Sequence, residues 1–494
     1  MNILGIGGVL GDAAAAVIRD GEIAAAIEEA KLRRRPDPGR LPDAAIAACL
    51  SIAKLKPSDI DHVALARPLP PGSALPAGLR IFTKAKVDTV DHHAAHAAAA
   101  FYVSPFEEAT VITLDREGDL RCGAIWKGSG NTLTVEEEIL YPDSIAELYG
   151  QVTEHLGMRA RADEHRVQWL SMTGKPRFSA LFDEAIHGHS VKPEINLPEV
   201  PKQQDRADLA ASMQQALEAY VLRLADGATN VCLGGGVAWN AVLVSALERK
   251  FKGVFAQLAA GNAGTALGAA LHAWHGVAEQ TERLDAGSYY LGPEYTVAEF
   301  KEALENCKLR FRLLETVPAR IQSAVGHLES NHIVAWMQGR MEFGPRALGN
   351  RSILASPHDP YSTENLNTFI KHRESSRKFA ASVPVEIASK YFETGSNARH
   401  LATVGSVRPE YKEQFRGAIL SGDAVRVHTV SKEDNPLYWR LLHAFGEKTG
   451  LPVLYNTSFN LFGEPLVCTP RDAVRSFYSS GIDAMVAGNF LLEK

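Results

Sequence analysis

The segment Gly339-Arg340-Met341-Glu342-Phe343-Gly344-Pro345-Arg346-Ala347-Leu348-Gly349-Asn350-Arg351-Ser352 sets three arginines among three glycines. Glycines let backbone N–H groups approach a ligand, and guanidinium groups offer forked, permanently charged donors that match phosphate or carboxylate oxygens. The pattern predicts a turn that holds an anion, and Lys371, Arg377 and Arg426 extend the cationic set downstream. A second constellation lies upstream, in Asp91-His92-His93-Ala94-Ala95-His96. A spacing of four puts His92 and His96 on one face of a helix, as two ligands of a single metal require.

These groups need elements to position them. Ala109-Thr110-Val111-Ile112-Thr113-Leu114-Asp115 reads as a buried strand ending in a carboxylate, with Arg121 to Trp126 as its hairpin partner. Ala14 to Ile18 and Glu22 to Glu28, joined by Asp20-Gly21, read as another hairpin. Arg33-Arg34-Arg35, followed by Pro36 and Pro38, reads as an exposed loop. Gly5, Gly7, Gly8 and Gly11 follow or end a first strand and offer a phosphate cradle. Asn230 to Leu233 leads into Gly234-Gly235-Gly236, and Phe255 to Leu258 leads into Ala259-Ala260-Gly261-Asn262. Strand, glycine loop and helix in succession belong to a nucleotide-binding α/β domain. A junction within residues 275–330 divides the chain into a first domain, 1–325, and a second, 326–494.

With His92-His93-Ala94-Ala95-His96 upstream and Leu454-Tyr455-Asn456-Thr457-Ser458-Phe459-Asn460 downstream, the arginine-rich segment resembles the ATP-dependent carbamoyltransferases of antibiotic and nodulation-factor biosynthesis. The resemblance spans nearly the whole chain. It implies an α/β protein with an N-terminal actin- and Hsp70-like ATPase domain, similar to threonylcarbamoyl transferases, and a C-terminal α/β domain that forms carbamoyl-adenylate. Carried over by residue, it implies carbamoyl-phosphate binding by Arg346, Lys371, Arg377, Arg426, Asn456 and Ser458, with Arg346, Lys371 and Arg377 in catalysis. It implies nucleotide binding at Gly234, Gly235, Gly236, Asn240, Gly261 and Asn262, and a metal, iron in relatives, on His92, His96 and Asp115. ATP with Mg²⁺, carbamoyl phosphate and a small-molecule acceptor are the expected ligands.

The chain departs from the family pattern in its first domain. Gly11-Asp12-Ala13-Ala14 stands where relatives carry His-Asp-Ser-Ala, which removes a histidine associated with acceptor activation and leaves His93, Asp12 or a partner to supply a base. Asn262 replaces an aspartate, and a neutral amide oxygen binds cations more weakly than a carboxylate. Arg116 occupies a glycine position of the usual Asp-Gly-x-Gly-Glu turn, able either to serve phosphate or to block it, and Trp169 also replaces a glycine. These departures admit an alternative, a paralogue that binds nucleotide or carbamoyl phosphate and regulates or completes a protein partner.

Composition narrows the classes. At 494 residues, 46% hydrophobic and 22% charged, the chain is of globular type and large enough for two domains. A net charge of −6 gives nucleic acid or an anionic membrane little to hold. Five scattered cysteines without a C-x-x-C pair argue against a disulfide framework and fit reduced cytoplasm. The start lacks the pattern of a signal peptide.

Overall fold

The computed structural model describes residues 1–36, 38–70, 78–285, 287, 289–374 and 377–494. Two compact units are present. One comprises Met1–Ala24, Pro38–Pro42 and Ala53–Asp285; the other comprises Ala25–Asp37, Asp43–Ile52 and Ala286–Lys494.

The first unit is built on two sheets with one topology. β1 (Asn2–Gly7), β2 (Ala14–Arg19), β3 (Glu22–Glu28, whose last residues belong to the second unit), β4 (His62–Ala66) and β5 (Lys86–Val90) run in the order β3-β2-β1-β4-β5. β1 is antiparallel to β2 and parallel to β4, and β4 is parallel to β5. After helix α1 (His92–Phe101), the strands β6 (Glu108–Gly118), β7 (Arg121–Ser129), β8 (Thr132–Leu140), β9 (Asn230–Gly234) and β10 (Gly253–Ala256) repeat the pattern as β8-β7-β6-β9-β10. Here too the first strand is antiparallel to the second and parallel to the fourth. This duplicated order is the actin- and Hsp70-like architecture expected from the sequence.

Close packing explains many of the glycines. Helix α2 (Gly264–His272) packs on β1, β2 and β4 and also on α1, which packs in turn on β6 and β9. A Cβ on Gly5 would lie 2.0 Å from the Ala266 carbonyl oxygen, one on Gly7 2.2 Å from Thr265 Oγ1, and one on Gly268 1.8 Å from the Ala95 carbonyl oxygen. Gly5 and Gly7, read above as part of a phosphate cradle, are glycines because α2 lies against them. The alanine run at 97–100 is buried throughout for the same reason: small side chains let helix and sheet backbones approach.

The second unit centres on an eight-stranded mixed sheet. Its strands are β11 (Arg312–Leu313), β12 (Val334–Met337), β13 (Arg351–Ala355), β14 (Ala380–Pro384), β15 (Val427–Val430), β16 (Leu454–Ser458), β17 (Ala484–Ala487) and β18 (Phe490–Glu493), in the order β11-β18-β17-β12-β13-β16-β14-β15. Both faces are covered. Ala335, Met337, Ile353 and Tyr455 join one apolar cluster, while Val334, Trp336, Leu354 and Leu454 join the other, the period of two that a strand imposes. Arg34 corrects the reading of residues 33–35 as an exposed loop. It follows the short helix Glu29–Arg33, donates to the carbonyls of Leu466 and, at 2.8 Å, Pro465, and lies 3.6 Å from the Asp472 carboxylate. Among the described residues no helix is long and apolar enough to cross a membrane.

Gly268→Ala is expected to lower the unfolding free energy by about 3 kcal/mol, because backbone must move to admit one methyl group. Gly326→Ala, in helix Val317–Glu329 with open space at its Cβ, is expected to stabilise by up to about 1 kcal/mol; urea titrations compare the two. Burial and the Arg399 charge push His400 down to about 3, and burial and the His400 charge do the same to His428. The unfolded chain, with histidine near 6.5, then binds more protons than the folded one between those values. Stability should fall as pH drops from about 6.5 toward 3, and His428→Gln should flatten that dependence in urea titrations at stepped pH.

Candidate functional site

One end of the sheet in the second unit gathers the cations. β14 and β15 are parallel; Arg426 immediately precedes β15, and Arg377 stands three residues before β14. β16 runs antiparallel to β14 with Asn456 opposite Ala380, so Asn456 and Ser458 emerge at the same end. Ser458 also pairs with Ser352 at the start of β13, which brings in the loop carrying Arg346. Lys371 arrives differently, as the last residue of a π-helical turn, Leu366–Lys371, that ends at His372 with φ 44°. Such turns recur at functional sites because they redirect a side chain out of helical register.

The three arginines of the glycine-rich segment have separate fates. Arg351 is wholly buried and donates to the carbonyls of Gln338 at 2.6 Å, Asn350 at 3.0 Å and Pro293 at 3.2 Å. Arg340 donates to the carbonyls of Leu291 and Gly292. Among the described residues Arg346 makes no hydrogen bond or ion pair. The loop does hold an anion, and it is its own: Glu342 Oε1 accepts the backbone N–H groups of Leu348, Asn350 and Arg351 at 2.8, 2.9 and 3.1 Å.

Like charges surround Arg346. Burial and then Arg377 push its guanidinium down to about 10, and burial with Arg377 does the same to Arg373 against the pull of Glu374. Burial and the charges of Arg346, Arg377 and Arg373 depress Arg426; burial, Arg373 and Arg377 depress Lys371 far below the lysine range. Lys371 Nζ donates to Ser458 O at 2.6 Å, Asn460 Oδ1 at 2.7 Å and Asn460 O at 2.9 Å, with Ser458 Oγ at 3.3 Å. Asn456 Nδ2 donates to Ala347 O, and its buried Oδ1 has no hydrogen-bond partner among the described residues. The six expected residues thus share one end of the sheet. Two more belong with them: Arg373, whose Nε donates to Asn367 Oδ1, and Asn460. The signal was present, since each stands two positions beyond an expected residue, Lys371 and Ser458.

The first unit brings His92, His96 and Asp115 together, their ligand atoms all within 4.8 Å of one another. Both Nε2 atoms converge on Asp115 Oδ2, at 3.0 Å from His92 and 2.9 Å from His96. His92 Nδ1 lies 3.2 Å from the Arg67 carbonyl oxygen, which fixes the tautomer and leaves Nε2 for a cation. Gly236 N–H donates to Asp115 Oδ1 at 2.7 Å and orients the carboxylate. Two imidazoles and one carboxylate with these outer contacts fit a divalent transition metal. His93 plays a different part: it is fully buried, with Nδ1 3.1 Å from Thr113 Oγ1 and Nε2 3.4 Å from the Arg121 carbonyl oxygen, so both ring nitrogens face protein; burial with the His92 charge pushes it down to about 3. Asp12 is exposed, and its carboxyl is raised by surrounding protein and by Asp115.

The glycine loops are shaped around this triad. A Cβ on Gly234 would lie 2.8 Å from the His96 carbonyl oxygen, and one on Gly236 2.9 Å from Asp115 Oδ1. Asn240 caps helix Ala241–Lys250 by accepting Leu243 N–H, and its amide pairs with Gln214. Gly261 seats Trp239, whose ring would stand 2.4 Å from a Cβ there. Asn262 accepts the Thr265 N–H and hydroxyl through its backbone carbonyl. Arg116 is tied to Glu147 at 3.0 Å and Glu164 at 3.3 Å, joining the helices Ile145–His155 and Glu164–Ser171. Those two carboxylates engage its guanidinium.

The chain thus combines a duplicated actin-like unit carrying a His-His-Asp cluster with an α/β unit whose sheet ends in a cluster of cations. The family models described as Carbamoyltransferase N-terminus and Carbamoyltransferase C-terminus match residues 73–191 with 186–271, and 325–494. An uncharacterised protein of Synechocystis sp. is 34% identical over 100% of this chain and 97% of its own length. Nodulation protein NolNO of Sinorhizobium fredii is 32% identical over 98% of this chain and 79% of its own. The 3'-hydroxymethylcephem-O-carbamoyltransferase of Streptomyces clavuligerus is 37% identical over 175 residues, 35% of this chain and 33% of its own. The chain belongs to the carbamoyltransferase family.

Arg346→Ala is expected to raise the stability of the unliganded protein by about 0.5–1 kcal/mol, because it relieves repulsion within the cluster. Pyrophosphate, as a probe of the cation cluster, is expected to raise the melting temperature of the wild type and not that of this variant, read by thermal shift with and without the probe.

Proposed function

We propose that this member of the family uses carbamoyl phosphate and ATP, with Mg²⁺ on the nucleotide, to form carbamoyl-adenylate, and passes the carbamoyl group to a hydroxyl or amine of a small molecule. The carrying observation is the set of mutually repelling cations, Arg346, Lys371, Arg373, Arg377 and Arg426, around one end of the second unit's sheet. Stored repulsion of this kind is relieved by a polyanion, and a small dianion beside a triphosphate is an occupant of matching charge. Asn456 and Ser458 add the neutral hydrogen-bonding groups that an amide end requires.

In this reading water cleaves carbamoyl phosphate to phosphate and carbamate. A carbamate oxygen then attacks the α-phosphorus of ATP, the bond to the β-phosphate breaks, and pyrophosphate leaves. Fixed guanidinium groups offset the charge that develops on the departing oxygens. In the first unit the acceptor oxygen or nitrogen attacks the carbamoyl carbon, AMP leaves, and the acceptor proton passes to a base. A divalent cation held by His92, His96 and Asp115 would supply polarisation of the carbamoyl carbonyl. The loops at Gly234–Gly236 and Gly261-Asn262 are assigned to the nucleotide on the family pattern. A base is worth about 10²–10⁴-fold. With Gly11 in place of the histidine and His93 buried, Asp12 is the titratable group left at the first glycine turn.

A second reading, binding without acceptor transfer and in the service of a protein partner, is favoured by Gly11 and by the occupation of the phosphate turn by Arg116. Pyrophosphate release from ATP, measured without acceptor, tests the first. Release that depends on carbamoyl phosphate and is abolished in Arg346→Ala is the expected result. Release unaffected by Arg346→Ala would refute the site, and ligand binding without any release would leave the partner-serving reading in its place.

A further inference from the structure

We infer that Lys31, acting with Glu28, is a positioning residue of the anion site in the second unit; the inference rests on the reading of that site given above. Neither residue lies near the site in sequence. Lys31 stands 311 and 313 positions from the two residues whose carbonyls it contacts, in the excursion Ala25–Asp37 that the second unit takes from the start of the chain.

Lys31 is 5% exposed; its ammonium donates to Glu342 O at 2.9 Å and Gly344 O at 2.7 Å and forms an ion pair with Glu28 Oε2 at 2.8 Å. Glu28 Oε1 accepts the backbone N–H of Gly344 at 2.9 Å. Both polar backbone groups of Gly344 are therefore held by one ion pair, and Gly344 itself sits at φ 118°, a conformation that side chains resist. On the far flank of Arg346, Glu342 Oε1 holds the N–H groups of Leu348, Asn350 and Arg351. Ala347 O accepts from Asn456 Nδ2. Arg346 is thus carried on three residues, Pro345-Arg346-Ala347, pinned on both sides.

That construction answers a specific need. Arg346 and its cationic neighbours drive one another apart, and nothing in the charge of Arg346 itself keeps it among them. A loop free to relax would swing the guanidinium toward solvent and forfeit the geometry on which binding of a small anion depends. The Glu28–Lys31 pair fixes the loop while adding no net charge to the cluster.

The test uses the full-length protein with Lys31→Met, which keeps the length of the side chain and removes its donors, Lys31→Arg, and Glu28→Gln, which keeps an acceptor for Gly344. Pyrophosphate affinity is read by calorimetry, the KM for carbamoyl phosphate and the kcat from pyrophosphate release, and stability from urea unfolding. Lys31→Met is expected to raise the pyrophosphate Kd and the KM at least tenfold, about 1.4 kcal/mol, with a smaller change in kcat. Lys31→Arg should recover part of this loss. Glu28→Gln should show the same shift in weaker form, and it carries the test if Lys31→Met does not fold. Folded variants with wild-type Kd and KM but reduced stability would overturn the inference, by making the pair a purely structural contact. Wild-type protein that binds no pyrophosphate would defeat the reading of the site itself, and this inference with it.

Discussion

Repulsion among the cations of the second unit is the constraint to which the rest of that unit answers. Burial and then the charges of neighbouring arginines, Arg377 among them in each case, depress the proton affinity of Arg346, Lys371, Arg373 and Arg426. Such a cluster survives only on a stiff frame. Three adjacent strands supply it, with Asn456 and Ser458 on one, Arg426 ahead of a second and Arg377 ahead of a third, all covered on both faces by apolar clusters. The strands fix where the chain enters the site; hydrogen bonds to backbone fix how the side chains stand. Lys371 is held by Ser458 and Asn460, and the loop of Arg346 by the carboxylate of Glu342.

The first unit answers a different constraint, the approach of backbone to backbone. Its two sheets enclose α1 and α2, and the His-His-Asp cluster lies where α1, the middle of β6 and the loop after β9 meet. Glycine is required there because a Cβ at 234 or 236 would collide with the groups that hold the cluster. The same sterics place His92 and His96 on one turn with their imidazoles facing Asp115 and turn His93 the other way, into the core beside Thr113.

Much of this was legible in the chain. The i, i+4 histidines and the hairpin at Asp20-Gly21 follow from local periodicity, and the cations at 346, 371, 377 and 426 from residue chemistry and the family pattern, whereas Asp115 lies inside its strand, Glu108–Gly118, rather than at the end expected. Function and packing look alike in sequence wherever a glycine or an arginine is concerned. Gly5 and Gly7 resembled a phosphate cradle and lie against a helix, and Gly261, matched to the nucleotide by the family pattern, also seats Trp239. Arg340, Arg346 and Arg351 are equivalent in composition and spacing, yet two of them hold backbone carbonyls.

The sequence by itself determined the kinds of chemistry available: a fork of permanent cations, a pair of imidazoles on one helical face, and glycine turns after strands. Those depend only on residue type and on spacings of a few positions, within which backbone geometry is nearly fixed. Tertiary structure decided which groups face one another. It tied Arg340 and Arg351 to backbone carbonyls, recruited Arg373 and Asn460, buried His93, and brought Lys31 and Glu28 to a loop more than 300 residues away. Those choices turn on contacts between distant segments, whose burial and charge balance exist only once the chain has folded.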